Sequence, residues 1–226
     1  MFIPVNVCRS NTVFVNCLMQ KIVRNSYIFG NDYLLAGIET GIFNTVYAKQ
    51  KQANLCWAAS IEMALKYYGL DISQDEFAAE LCGVDIWGNA CDCPGPTDII
   101  TKNLNRCYVT HCLNSQSNSG TPNAAYLFQL LKDNKPVIVG YHTGGSVGHA
   151  VLVTAVTYER TVFGDIPFSI TVRDPDPDPM NQLRYGKKTY RISEFLPLIY
   201  HWWVPSVKKH AIPRLQNAWS QHAFYY

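Results

Sequence analysis

The sequence predicts an α+β fold in which helices come first and strands second. Two observations carry this expectation. Between residues 54 and 133, apolar residues recur at spacings of three and four, the period of an α-helix. From Pro136 onward they gather into short runs or alternate with polar residues, as strands do. That order favours helices packed on a sheet of hairpins over alternating parallel units. Composition agrees, since 226 residues at 48% hydrophobic and 13% aromatic, with 14 Gly and 12 Pro, can build one substantial core. Disordered, collagen-like and coiled-coil chains have other compositions.

Each element has its own signal. Trp57, Ile61, Ala64, Leu65 and Tyr68 line one face of a helix that Asn54 would cap and Gly69 would stop. On its remaining surface, Glu62 and Lys66 form an i,i+4 pair with the acid first. A second helix over 74–82 follows Ser73 as its cap, with Phe77, Ala78 and Leu81 on one face. Residues 83–122 are rich in Gly, Asn, Pro and Cys and read as loop, interrupted by a short helix at 97–105. Residues 123–133 form another helix through Ala124, Leu127, Leu130 and Leu131. Strands are expected at 137–141, 150–158 and 168–173. Residues 1–45 lack a sustained period and read as an extension, residues 46–210 as the folded domain, and 211–226 as a tail.

Charge excludes some functions. With 19 Lys+Arg against 17 Asp+Glu, the net charge is +2, so neither a nucleic-acid partner nor a membrane surface is expected. No run approaches 18 apolar residues, which argues against a transmembrane helix. The apolar stretch at 13–19 follows a single Arg9, and reads against a cleaved signal peptide. Lys187-Lys188 and Lys208-Lys209-His210 read as solvated surface, and Trp202-Trp203 as core.

Candidate chemistry begins at Cys56, placed in the first turn of the first long helix. Unpaired N–H groups and the positive end of the helix dipole favour a thiolate there, although free cysteines are more often small buried residues. Gln50 lies six residues earlier, where its amide can reach the oxygen of a carbonyl under attack by the sulfur; Gln52 is two residues short of that place. A thiolate needs a proton partner. His149, in Gly148-His149-Ala150-Val151-Leu152-Val153, stands at the mouth of an apolar strand just after a glycine loop, and His142 is the second choice. The remaining histidines, His111, His201, His210 and His222, have no such setting. Asp174 continues the apolar row Phe168, Ile170, Val172, so its charge would need a partner, although a turn acid in Asp-Pro-Asp-Pro-Asp-Pro is the plainer reading. A pairing that sets His149 across from Asp174 also matches Val151 with Val172, Val153 with Ile170 and Ala155 with Phe168, around a loose connection near Thr161 and Val162. A tight turn at Gly164-Asp165 would instead separate His149 and Asp174 by about 20 Å.

Gln50 through Cys56-Trp57-Ala58-Ala59, running on to Tyr67-Tyr68-Gly69, together with Gly148-His149 and Asp174-Pro175, resembles the papain-like cysteine peptidases. It is most similar to the papain-like avirulence effectors of plant pathogens and to the double-glycine leader peptidases of bacteriocin exporters. Ala53-Asn54-Leu55 departs from the Cys-Gly-Ser of plant and lysosomal papains. The resemblance implies a papain-like fold, with the nucleophile helix packed on a C-terminal antiparallel sheet. It also implies a polypeptide substrate, no metal or cofactor, and a secreted or delivered bacterial effector. Cys56 would be the nucleophile, His149 the acid/base, Asp174 its orienting partner and Gln50 the oxyanion donor. The same thioester serves a glutamine deamidase or an acyltransferase, and a peptide-binding module without chemistry is a further alternative. Cys82, Cys91, Cys93, Cys107 and Cys112, beside His111, admit disulfides, zinc or free thiols, and the effector resemblance favours disulfides. Cys8 and Cys17 lie in the extension, as does Phe29-Gly30, which resembles effector self-processing sites only in that dipeptide.

Overall fold

The computed structural model describes residues 33–108, 111–145, 148–176 and 184–209. Cys8, Cys17, Phe29-Gly30, His210, His222 and Asp178 lie outside these residues. Helices α1 (Thr40–Val46), α2 (Cys56–Tyr67), α3 (Gln74–Cys82) and α4 (Thr97–Asn103) precede α5 (Ala124–Lys132) and the one-turn α6 (Ile192–Phe195). Strands are β1 (Tyr33–Gly37), β2 (His111–Ser119), β3 (Val137–Tyr141), β4 (His149–Thr161), β5 (Gly164–Arg173), β6 (Lys187–Arg191) and β7 (Ile199–Lys209). They make one seven-stranded sheet in the order β2-β7-β3-β4-β5-β6, with β1 paired to the far half of β4. Every pairing is antiparallel. This is an α+β papain-like architecture with the helix that begins at Cys56 against the sheet.

The sheet is buried on both faces. On one, α2 packs Leu55, Ile61 and Leu65 against Ile138, Leu152 and Trp203. On the other, Leu127 and Leu131 of α5 and Phe195 of α6 meet Val139, Val151, Val153 and Ile170. Helix α2 is therefore surrounded, with only Lys66 left outside the buried set. Glu62, expected on the surface, is 6% exposed. It keeps the Lys66 contact at 2.7 Å and accepts two further hydrogen bonds, from the backbone and side-chain nitrogens of Gln74. Such satisfaction is what a buried carboxylate requires. Gly69 ends α2 as expected: at φ +81° it lets its own N–H reach Lys66 and that of Leu70 reach Leu65. Ser73 and Glu76 close a reciprocal cap at the start of α3.

Several expectations are corrected. Residues 33–45, assigned to an extension, form β1 and most of α1, and bury Ile38 and Phe43. The stretch 111–119, read as loop, is β2: its polar residues Asn114, Gln116 and Asn118 carry no apolar alternation because it is an edge strand. The β4–β5 hairpin follows neither anticipated register. Thr161 pairs with Gly164 across a two-residue turn, and Val153 meets Val172 in place of Ile170. Gly164, at φ +125°, occupies backbone space that favours glycine, which permits so tight a turn. Irregularities near Thr154 in β4 and Phe168 in β5 shift the pairing and shift it back, so they cancel by the strand ends. Phe168 leaves the apolar row and is 46% exposed, beside the Tyr33 ring. Continued past Arg173, this register would set Asp174 opposite Val151, two residues or about 7 Å along the strand from His149. Asp174 lies beyond the end of β5, where the chain is free to bend that distance.

Candidate active site

Helix α2 begins at Cys56 itself, with Leu55 as its N-cap and no side-chain cap. Asn54, the expected cap, is held elsewhere. Its backbone N–H and its side-chain amide both donate to Asp92, at 2.8 and 2.9 Å, because a carboxylate is a stronger acceptor than the helix end is a donor site for a neutral amide. No side chain caps the first turn of α2, and Cys56 stands at its head. Cys56 is a free thiol, 9% exposed.

His149 is the first residue of β4, opposite Tyr141, and the Tyr141 ring meets its imidazole edge-on at 5.7 Å. Its Nε2 donates to Asp174 Oδ1 at 2.8 Å, and the ring shares the cleft with Cys56, whose side chain also acts on its titration. Asp174 is 2% exposed. Its Oδ1 also accepts from the Asp176 backbone at 2.9 Å, and its Oδ2 accepts from Lys188 Nζ at 2.6 Å. The backbone of Asp174 is clamped as well, by Tyr47 Oη on its carbonyl and by its own N–H on Gly186. Gly186 must be glycine: a Cβ there would lie 2.0 Å from the Asp174 carbonyl oxygen.

Electrostatics follow from these contacts. Burial lowers the pKa of His149, yet hydrogen bonds to Asp174 and Cys56 and their charges outweigh it, lifting the value from 6.5 to about 9. For Asp174, burial pushes the pKa up, but His149 and Lys188 pull it below the usual carboxylate value. Tyr47, buried and close to Asp174 and Asp176, is raised to about 12 and so remains a donor.

Cys56, His149 and Asp174 line one open cleft of about 720 Å³. One wall is Trp57 with Pro94, Gly95 and Pro96; the Trp57 indole donates to the Cys93 carbonyl and lies so close to Gly95 that a Cβ there would sit 2.5 Å from the ring. Across the cleft, the Tyr200 ring covers Gly140 and Gly148, where Cβ atoms would fall 2.8 and 2.5 Å from it. Gln50 does not line the cleft. Its amide donates to the carbonyl of Ala53, which does, and its backbone N–H donates to Pro175 beside Asp174. Gln52 is committed to the Ala90 carbonyl at 2.7 Å. His142 is exposed against Tyr200, and His201 is buried against Trp203 with Ser119 on its Nδ1.

A family model described as "Peptidase_C39 like family" matches residues 42–196, more than half of the chain. The chain belongs to that family. No curated protein matches the sequence. In this Peptidase_C39-like chain the matched region runs from α1 to the start of the 3-10 turn after α6, and so contains Gln50, Cys56, His149, Asp174 and Lys188. Cys82–Cys93 and Cys107–Cys112 are disulfides, with Cys91 free between the first pair. Among the described residues no group of His, Cys, Asp and Glu is arranged to hold a metal ion, and no helix is long and apolar enough to cross a membrane.

Sequence reasoning missed Lys188, read there as solvated surface. Along β6 the exposure alternates, with Lys188 and Tyr190 on the more covered side and Lys187, Thr189 and Arg191 exposed. The sequence Lys-Lys-Thr-Tyr-Arg itself has no apolar alternation that singles out Lys188. The Asn54–Asp92 contact joins residues 38 apart in sequence and left no local trace.

Proposed function

We propose that the Peptidase_C39-like chain is a cysteine peptidase whose catalytic residues are Cys56, His149 and Asp174. The observation that carries this reading is one imidazole held on Nε2 by a buried carboxylate and sharing a single cleft with a cysteine at the head of a buried helix. In the resting site the His149 ring, lifted to about 9, holds its proton at neutral pH, and its charge together with the head of α2 favours negative charge on the sulfur for attack. The thiolate attacks a peptide carbonyl to form a tetrahedral adduct. First-turn N–H groups of α2 stabilise the developing oxyanion, and Gln50, outside the cleft, acts only by holding the Ala53 carbonyl in the loop before them. His149 then gives its proton to the leaving amine as the C–N bond breaks, and a thioester remains on Cys56. Water, deprotonated by the now neutral His149, hydrolyses that thioester and restores the ion pair. Asp174 keeps the ring oriented and its charge balanced throughout.

The substrate is a polypeptide threaded past Trp57 and Tyr200. We also place the working protein in an oxidising compartment, as a secreted effector would be, because two disulfides persist where thiols are not kept reduced. Incubation with a peptide library and sequencing of the products by mass spectrometry tests the reaction. Cleaved backbones are expected from the native chain and none from Cys56→Ala. A mass gain of about 1 Da on glutamine without cleavage would instead mean deamidation by the same thioester.

A further inference from the structure

We infer that Lys188 is a positioning residue of this site, acting through Asp174 as the fourth link of a chain from Cys56 through His149 and Asp174. The inference depends on the reading of His149 as the proton carrier. Asp174 divides its oxygens: His149 and the Asp176 backbone hold Oδ1, while Lys188 alone among the described side chains holds Oδ2. The Asp174 side chain is 3% exposed, so water contributes little to its charge.

A carboxylate this buried needs a cation at every stage of the cycle. While His149 is protonated it supplies one. After His149 has passed its proton to the leaving amine the ring is neutral, and Asp174 would stand buried and unpaired without Lys188. Lys188 therefore lowers the cost of the state in which His149 is neutral. Its ammonium also opposes the imidazolium from the other end of the same carboxylate, and so restrains the basicity that Asp174 confers.

The surrounding groups leave this role to Lys188. From β5, Arg173 donates to the carbonyls of Thr40, Arg184 and Tyr185, not to Asp174, and Asp176 adds a second negative charge. From β6, Lys187 donates to Thr40 Oγ1 and Tyr190 lies beside Lys188. Tyr47 donates to the Asp174 carbonyl and not to its carboxylate, Tyr141 meets the His149 ring, Cys56 is the second group acting on that ring, and Tyr200 lies within the field of Cys56.

The full chain is compared with Lys188→Met and Lys188→Arg by NMR titration of the His149 ring and by the pH profile of peptide hydrolysis. In Lys188→Met the His149 midpoint and the alkaline limb of hydrolysis are expected to move up together by about one pH unit, the scale of one charge removed at this range, and Lys188→Arg should restore both. An unmoved His149 midpoint in folded Lys188→Met, or an equal loss of rate at all pH values in both variants, overturns the inference. If Lys188→Met does not fold, Lys188→Gln keeps a donor without the charge and decides by the same titration. If the native chain hydrolyses no peptide, the peptidase reading falls, while the NMR titration still decides whether Lys188 governs His149.

Discussion

Replacing Asp174 by Asn removes one charge from the site while keeping an oxygen in place to accept from His149. The rise of His149 from 6.5 to about 9 corresponds to about 3 kcal/mol in favour of the imidazolium, at about 1.4 kcal/mol per factor of ten. The side chain is 18% exposed, so solvent screening reduces this only moderately. Because the folded value is raised, the stabilisation is fully present below the unfolded value of 6.5 and is lost as pH rises through about 9. Because Cys56 holds part of that shift, urea unfolding of native and Asp174→Asn chains should differ by at most about 2–3 kcal/mol at pH 6 and by much less at pH 10. The same substitution should bring the NMR midpoint of His149 well down from about 9, since burial then acts against the Cys56 contact alone. Peptide hydrolysis at pH 7 should fall about 10²-fold or more as the ion pair is lost. A stability difference that is constant with pH, or a His149 midpoint that stays near 9, would refute the assignment of that shift to Asp174.

Other outcomes follow from single contacts. Glu62→Ala leaves the buried Gln74 backbone N–H without its acceptor, while the Gln74 amide keeps only the Lys49 carbonyl, and should cost about 1–3 kcal/mol in urea unfolding; Lys66→Ala, which leaves the buried Glu62 carboxylate without its close cation, should also cost more than about 1 kcal/mol. Gly95→Ala drives a methyl into the Trp57 ring, which Cys93 holds by its indole N–H. A loss of about 1–3 kcal/mol and a shift in tryptophan emission are expected. Reduction of Cys82–Cys93, which closes a segment of 11 residues, should lower stability by about 2–3 kcal/mol, read as a drop in Tm on adding dithiothreitol. Because that segment also carries Asp92, the partner of Asn54, the Cys82→Ser variant should lose peptide hydrolysis along with stability.

Local chemistry determined a good part of this protein before any folding. Ser73 with Glu76 dictates where α3 starts, Gly69 where α2 stops, and the 137–141 run is a strand because its five residues are apolar or small and bounded by turn signals. The three side chains brought to the cleft were legible for the same reason. A cysteine at a helix start, a histidine at the mouth of an apolar strand and an acid ending an apolar row are each odd in their own neighbourhood. What only the tertiary structure decided are the pairings between distant segments. The β4–β5 register depends on two opposed irregularities that no alternation reveals, and β2 and β7 bury residues on a pattern set by their neighbours in the sheet. Asn54 is drawn from the helix end by Asp92, and Lys188 from solvent by Asp174, because a carboxylate fixed nearby by folding outbids water and backbone for those donors. Periodicity records which face of an element is covered; it does not record which charge will be waiting there.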